Sequence, residues 1–283
     1  MGAIRHGSER QGNLESMERY VLTFPSISHG PLNLILVHLP RYHAPVPMSE
    51  FCPKAWAAIC ELCGGADRID QGTQPIPGIN NKSEDIAMAV ISDAFIVNVG
   101  SKDDAAKFNE ASADTSNAGS CAYVGGDGLT MAQEKLLNPH DRTNWHVDGD
   151  FFHHFLDSKE QALLPIVLFS DIKAGGGGTM ICPEAIPRMA QHLYSHPEGV
   201  MPDMTTSDEE EREKLGIGKY EKFGTGFYDG VVREVGKEAF RTATGRAGDI
   251  YLLHPLMVHS AAPNYLRGMD STQLPLPALL ADL

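Results

Sequence analysis

Cysteine is scarce in this sequence: five in 283 residues, an odd number and too few for a disulfide framework. Cys52, Cys60, Cys63, Cys121 and Cys182 are therefore read as free thiols. Cys60 and Cys63 form a lone C-x-x-C. A tetrahedral zinc site needs a second ligand pair, and none with that spacing follows, so these two are expected as helix residues one turn apart. Any run of about 18 apolar residues able to cross a bilayer is also missing. The opening Met1-Gly2-Ala3-Ile4-Arg5-His6 lacks the apolar stretch of a secretory signal, which makes the cytosol the expected setting. Basic charge is in short supply too. Against 37 Asp and Glu stand 23 Lys and Arg, and the formal net charge of -14 opposes non-specific attraction to nucleic acid or anionic lipid. The expected partner is a small molecule, with no nucleic acid and no membrane. No internal repeat is visible. The glycine run 175–178 lacks the G-K-[ST] ending of a phosphate loop, so nucleotide binding is not expected.

What is present suits one sizeable domain, since 42% of the residues are hydrophobic. Residues 1–93 read as a helical and irregular flank. Within it Leu32 to Leu39 is a strand candidate. Ser49 to Cys63 is an expected helix with Phe51, Ala55, Ile59 and Leu62 on one face, Ser49 as cap, Pro53 in the first turn and Gly64-Gly65 as the stop. Residues 72–82 read as a loop, and Ser83 to Ser92 as a short capped helix leading into a strand from Ala94 to Val99. The polar stretch 101–128 is expected to be an exposed excursion. Trp145 to Phe155 and Ala162 to Ile172, rich in aromatic and branched residues, read as strands. Pro183 to His196 is a helix with Ile186, Met189, Ala190 and Leu193 inward. Residues 200–222, with the capping box Ser207-Asp208-Glu209-Glu210, form an insertion that would serve as a lid. Asp249 to Leu253 and Met257 to His259 are strand-like, and the tail from Asp270 to Leu283 carries no signal. Many short strands with helices gathered early predict a mainly β fold, a sandwich or jelly roll, with flanking helices.

The chemistry concentrates in two places. Asn144-Trp145-His146-Val147-Asp148-Gly149 contains H-x-D, and alternation along a strand turns both ligands to one face. Far downstream, the turn and strand Gly248 to Leu253 lead to His259, which is followed by small residues. Taken singly, His146 and Asp148 read equally well as a surface-strand pair, and His259 as a satisfied core histidine. Taken together, two imidazoles and one carboxylate on one face of an octahedron leave three positions open, which suits ferrous iron and oxygen chemistry.

Three segments carry a resemblance: Asn144 to Phe155, the glycine-threonine piece 176–179, and Gly248 to Asn264. They resemble the iron(II)- and 2-oxoglutarate-dependent oxygenases of the phytanoyl-CoA dioxygenase group, particularly its fungal members, over roughly residues 90–267. The resemblance implies a double-stranded β-helix, a cupin-like jelly roll, over residues 94–267. It also implies Fe(II) held by His146, Asp148 and His259, and 2-oxoglutarate consumed with dioxygen to give succinate and carbon dioxide. The cosubstrate's far carboxylate needs a cation, supplied in such enzymes by an arginine on the strand after the second histidine. Arg267 is the candidate, at a somewhat shorter spacing than usual, with Arg246 or Arg241 as substitutes. Thr179 would offer a hydroxyl to the same carboxylate. Asp150 shares the parity of the ligands and would accept a hydrogen bond beside the metal or meet substrate, and His153 is a candidate substrate contact.

The expected reaction is oxidation of an unactivated C–H bond of an amino acid or secondary metabolite, hydroxylation by default, with desaturation or ring closure open from the same radical. Two other readings stand beside it. A cupin-like metalloenzyme of isomerase or hydrolase type would use the same ligands without 2-oxoglutarate. A non-catalytic small-molecule binding module would bind iron and turn over nothing.

Overall fold

A computed structural model describes residues 36–38, 43–69, 90–91, 95–116, 129–149, 152–159, 161–206, 208, 213–214, 226–267 and 278–282. Its strands, in chain order, are β1 (Leu36–His38), β2 (Val46–Pro47), β3 (Val90–Ile91), β4 (Phe95–Asn98) and β5 (Leu164–Leu168). They continue with β6 (Thr179–Cys182), β7 (Arg241–Thr242), β8 (Ile250–Leu253), β9 (Val258–Ala261) and β10 (Ala278–Asp282). The helices are α1 (Met48–Phe51), α2 (Pro53–Cys63), α3 (Lys102–Ala111), α4 (Met131–Leu136), α5 (Ile186–Ser195) and α6 (Gly226–Glu234). Content is mixed, with helices as prominent as strands.

The larger sheet has the order β1-β4-β10-β5-β8, and the smaller β7-β6-β9; β2 and β3 pair separately. A single bridge, His146 to His259, adds the His146 segment to the open edge of β9. From β4 onward the chain pairs with itself as an antiparallel ribbon folded back between β6 and β7. Outward from that fold, β5 meets β8, the His146 segment meets β9, and β4 meets β10. Along each arm of the ribbon successive segments alternate between the two sheets, and lateral pairs β9 with β6 and β10 with β5 join the rolled ribbon to itself. Pro165 sits within β5 where only β8 lies opposite, beyond the residues that β10 pairs, so its missing N–H leaves little unsatisfied.

The smaller sheet has a core on each side, as the period-two alternation of β6 requires. Met180 and Cys182 point outward and pack with Trp145, Val147 and Val258 under α5 (Met189, Leu193) and α6 (Tyr228, Val231, Val232). Ile181 points inward to Leu164, Ile166 and Leu168 of β5, with Leu253 and Met257. Opposite Ile181 in the register lies His259, so His259 shares the inward face.

Several expectations are corrected. The helix expected to run unbroken from Ser49 splits at Cys52, which takes φ −141 and ψ 81 because a residue before proline is driven out of the helical region. Pro53 then opens α2, and Gly64 closes it at φ +83. Of its supposed inward face only Ile59 is buried; Leu62 is 64% and Phe51 46% exposed. The excursion at 101–128 begins as a packed helix. Ser101 caps α3 by accepting the Asp104 N–H at 3.0 Å, and buried Phe108 stacks on Tyr265 at 5.2 Å. The charges of α3 hide an apolar edge of Ala105 and Phe108. Val90–Ile91 is a strand rather than the end of a helix; residues 72–82, 83–89 and 117–128 lie outside those described. Trp145 to Phe155 is no continuous strand, because Asn144 (φ +66) and Gly149 (φ +107) leave the extended region. The tail supplies β10, an inner strand of the larger sheet whose apolar run is too short to show a period. Residues 200–206 at the start of the expected lid are structured, with Val200, Asp203 and Met204 buried. Of the capping box only Asp208 is described.

Candidate metal centre

His146 and His259 face each other where the ribbon bridges. The His146 N–H donates to the His259 carbonyl at 3.1 Å, and the return bond is 2.9 Å. Directly opposed residues carry their side chains on the same face, and the two rings lie 4.4 Å apart. Asp148 follows two residues later. Its Oδ1 is 3.7 Å from His146 Nε2 and 3.3 Å from His259 Nε2. One ligand atom from each of the three falls within 4.8 Å of the others, the only such histidine, cysteine and carboxylate group among the described residues.

The tautomers are set locally. His146 Nδ1 is 2.7 Å from the Asn144 carbonyl, and His259 Nδ1 is 2.9 Å from the Met257 carbonyl. A carbonyl only accepts, so each Nδ1 holds a proton, and each Nε2 faces Asp148, as a lone pair in the neutral ring and as a donor in the protonated one. The carboxylate oxygen between the two nitrogens calls for a positive centre among them, a proton or a metal ion. The donor set therefore fits a divalent cation. Burial raises the pKa of Asp148, but the hydrogen bond and charge of His259, with lesser pulls from His146 and His154, outweigh it and hold the carboxyl below its ordinary range. It is ionised and ready to ligate at neutral pH. Its side chain remains 29% exposed against 9% for His259, so the open side of the site lies by Asp148.

Gly149 turns the chain immediately after Asp148. At φ +107 a Cβ would lie 2.4 Å from Phe152 Cζ and 2.8 Å from His154 Cε1, so no other residue fits without displacing a ring. Alternation counted from His146 and Asp148 gives their parity to His154, not to His153. His153 is exposed, whereas His154 is buried with Nε2 2.9 Å from the Gly149 carbonyl. Asp150 lies outside the described residues.

Thr179, buried at the start of β6, pairs with Ala261 and shares the face of Ile181 and His259. Arg267 does not lie on a strand. It sits in a turn after β9, and its Nη1 donates to the Gly100 carbonyl at 2.9 Å. The next strand, β10, holds Ala278-Leu279-Leu280-Ala281-Asp282 and no cation. Arg241 lies opposite Ile181, so His146, His259, Ile181 and Arg241 form one cross-strand row. Its guanidinium donates to the Phe240 carbonyl at 2.6 Å and to that of Glu238.

Tyr228 and His154 are the site residues that sequence reasoning missed. Burial pushes the Tyr228 hydroxyl far above its ordinary range, and that hydroxyl donates to the Pro202 carbonyl at 2.8 Å. A Tyr two residues into a helix that itself had no clear periodic signal gave no hint of this role.

Among the described residues no helix is long and apolar enough to cross a membrane. No protein-family model matches the chain, and no curated protein sequence matches it.

Proposed function

We propose that this chain is a non-haem iron(II), 2-oxoglutarate-dependent oxygenase that acts in the cytosol on a small molecule, an amino acid or secondary metabolite. The observation that carries the reading is the convergence of His146 Nε2, His259 Nε2 and Asp148 within 4.8 Å, with both imidazole tautomers fixed for ligation. The folded-ribbon pairing supports a double-stranded β-helix as the scaffold, since that fold rolls eight strands into two facing sheets in this manner. The resemblance of 144–155, 176–179 and 248–264 to the phytanoyl-CoA dioxygenase group supports the same reading.

Ferrous iron with 2-oxoglutarate and dioxygen supplies an oxidant able to take a hydrogen atom from an unactivated C–H bond. The chain's own part is to hold and to place. His146, Asp148 and His259 would hold the metal and leave room on it for small ligands. Thr179, about 7 Å along the strand from the His259 row, would donate its hydroxyl to the cosubstrate's far carboxylate. Arg267, or Arg241 at about 10 Å across two strand spacings, would neutralise that carboxylate. The apolar floor of Ile181, Leu253 and Met257 keeps water from the inner side. No side chain is required as acid or base, so the outcome, hydroxylation by default, depends on where the substrate's radical carbon is held.

A second reading is favoured by one feature: β10 carries no cation, and Arg267 is engaged with Gly100. A cupin-like metalloenzyme would use the same three ligands without an α-keto acid. Anaerobic addition of Fe(II) and then 2-oxoglutarate separates the two. The oxygenase gives a weak visible charge-transfer band that is absent in His146→Ala; iron binding with no band in the parent chain supports the cupin-like reading instead.

A further inference from the structure

The strand ladder that holds His146 ends at His146, and strand pairing resumes only where His154 bridges Val200. Asp148 therefore sits on chain that no strand holds. Two buried side chains grip the residues on either side of it. Before it, Val147 lies in the same buried cluster as Tyr228, whose hydroxyl donates to the Pro202 carbonyl at 2.8 Å. After it, His154 Nε2 lies 2.9 Å from the Gly149 carbonyl, and because a carbonyl only accepts, that nitrogen carries the proton. The His154 ring packs on Phe152 at 4.7 Å. Its backbone exchanges bonds of 2.8 and 3.0 Å with Val200. Both grips thus brace on one short piece of chain, residues 200–202.

We propose that Tyr228 and His154 are positioning residues that together set the Asp148 carboxylate for metal coordination, with residues 200–202 as their common support. The inference rests on the metal-binding reading above and deepens it. Losing either grip frees the turn that carries the carboxylate and leaves a carbonyl, that of Pro202 or of Gly149, without its donor. Groups that orient metal ligands from behind change affinity by about 10- to 100-fold when removed.

The test is Mn(II) titration of the full chain, followed by calorimetry and by the electron paramagnetic resonance spectrum of the bound ion. The series is the parent, Asp148→Asn, Tyr228→Phe, His154→Phe and His154→Gln, with the unfolding temperature of each metal-free protein recorded. Tyr228→Phe and His154→Phe are expected to weaken Mn(II) about 10- to 100-fold and to alter the spectrum. His154→Gln, whose amide N–H can reach the Gly149 carbonyl, is expected to restore most of the affinity, which a ring serving only as packing would not allow. Mn(II) binding that is lost in Asp148→Asn but unchanged in Tyr228→Phe and His154→Phe overturns this inference alone. A parent that binds no Mn(II), or an Asp148→Asn that binds it equally well, overturns the metal-site reading and this inference with it. Should Tyr228→Phe fail to fold, the comparison of His154→Phe with His154→Gln decides.

Discussion

The two segments that meet at the metal centre are built in opposite ways. His259 lies on β9, paired with β6 on one side and with His146 on the other, and packed above Ile181. The segment 144–149 has one bridge, two residues at positive φ, and a ligand beyond the end of the ladder. Regular pairing suffices to aim one imidazole. The carboxylate depends on a turn that only glycine fits and on side chains reaching in from elsewhere. The first segment resists small backbone changes, and the second should be sensitive to them.

The largest expected effect ignores this difference, because the metal needs all three donors. His259→Ala and Asp148→Asn should each abolish stoichiometric Fe(II) binding in calorimetry. The next separates stability from the site. Met180→Ala, on the outer face of β6, should cost about 2–5 kcal/mol of stability in urea unfolding while metal affinity stays within a few-fold of the parent. Gly149→Ala should do the reverse in proportion. Its strain costs about 1–3 kcal/mol, but metal affinity falls more than in Met180→Ala; equal affinities in the two variants would contradict the contrast between the segments. Smaller still is the choice of cosubstrate cation. Of Arg241→Ala and Arg267→Ala, the one that removes the partner of the carboxylate should raise the half-saturation for 2-oxoglutarate by about tenfold or more, and the other should leave it unchanged.

The smallest effect is on pH. The Asp148 carboxyl is held below its reference value of 3.8. Its ionised form therefore contributes stability that is complete above that value and is lost as pH falls through the lower folded one. In the metal-free protein, the stability difference between the parent and Asp148→Asn should shrink as pH falls below 3.8 toward the lower folded value. A difference that grows in that acid range would contradict the direction of the shift.

How much of this was legible in the sequence follows the same division. The two ligand segments were visible because H-x-D needs only three adjacent residues, and because His259 follows an apolar strand-like stretch and precedes small residues. The structure brings these residues together. Strands β5, β8 and β9 were readable from branched residues and bounding turns. The break at Cys52 was written in the sequence too, since Pro53 forbids a helical residue before it, yet the apolar spacing of Phe51, Ala55 and Ile59 outweighed that local rule. Helix α3 was masked by its charges, α6 by its two glycines, and β10 by its brevity and by pairing only with distant strands. The candidate contact was placed on His153, although parity counted from His146 falls on His154, which is the one the structure buries. Nothing in the local sequence marks Tyr228, whose partner Pro202 is near it only in space.

The central claim is that His146, Asp148 and His259 hold one metal ion. X-ray absorption of the protein loaded anaerobically with one equivalent of Fe(II) tests it most directly. Scattering from two imidazole rings in the parent, falling to one in His259→Ala, is the predicted result; a parent spectrum with no imidazole, or one unchanged by the substitution, would contradict it.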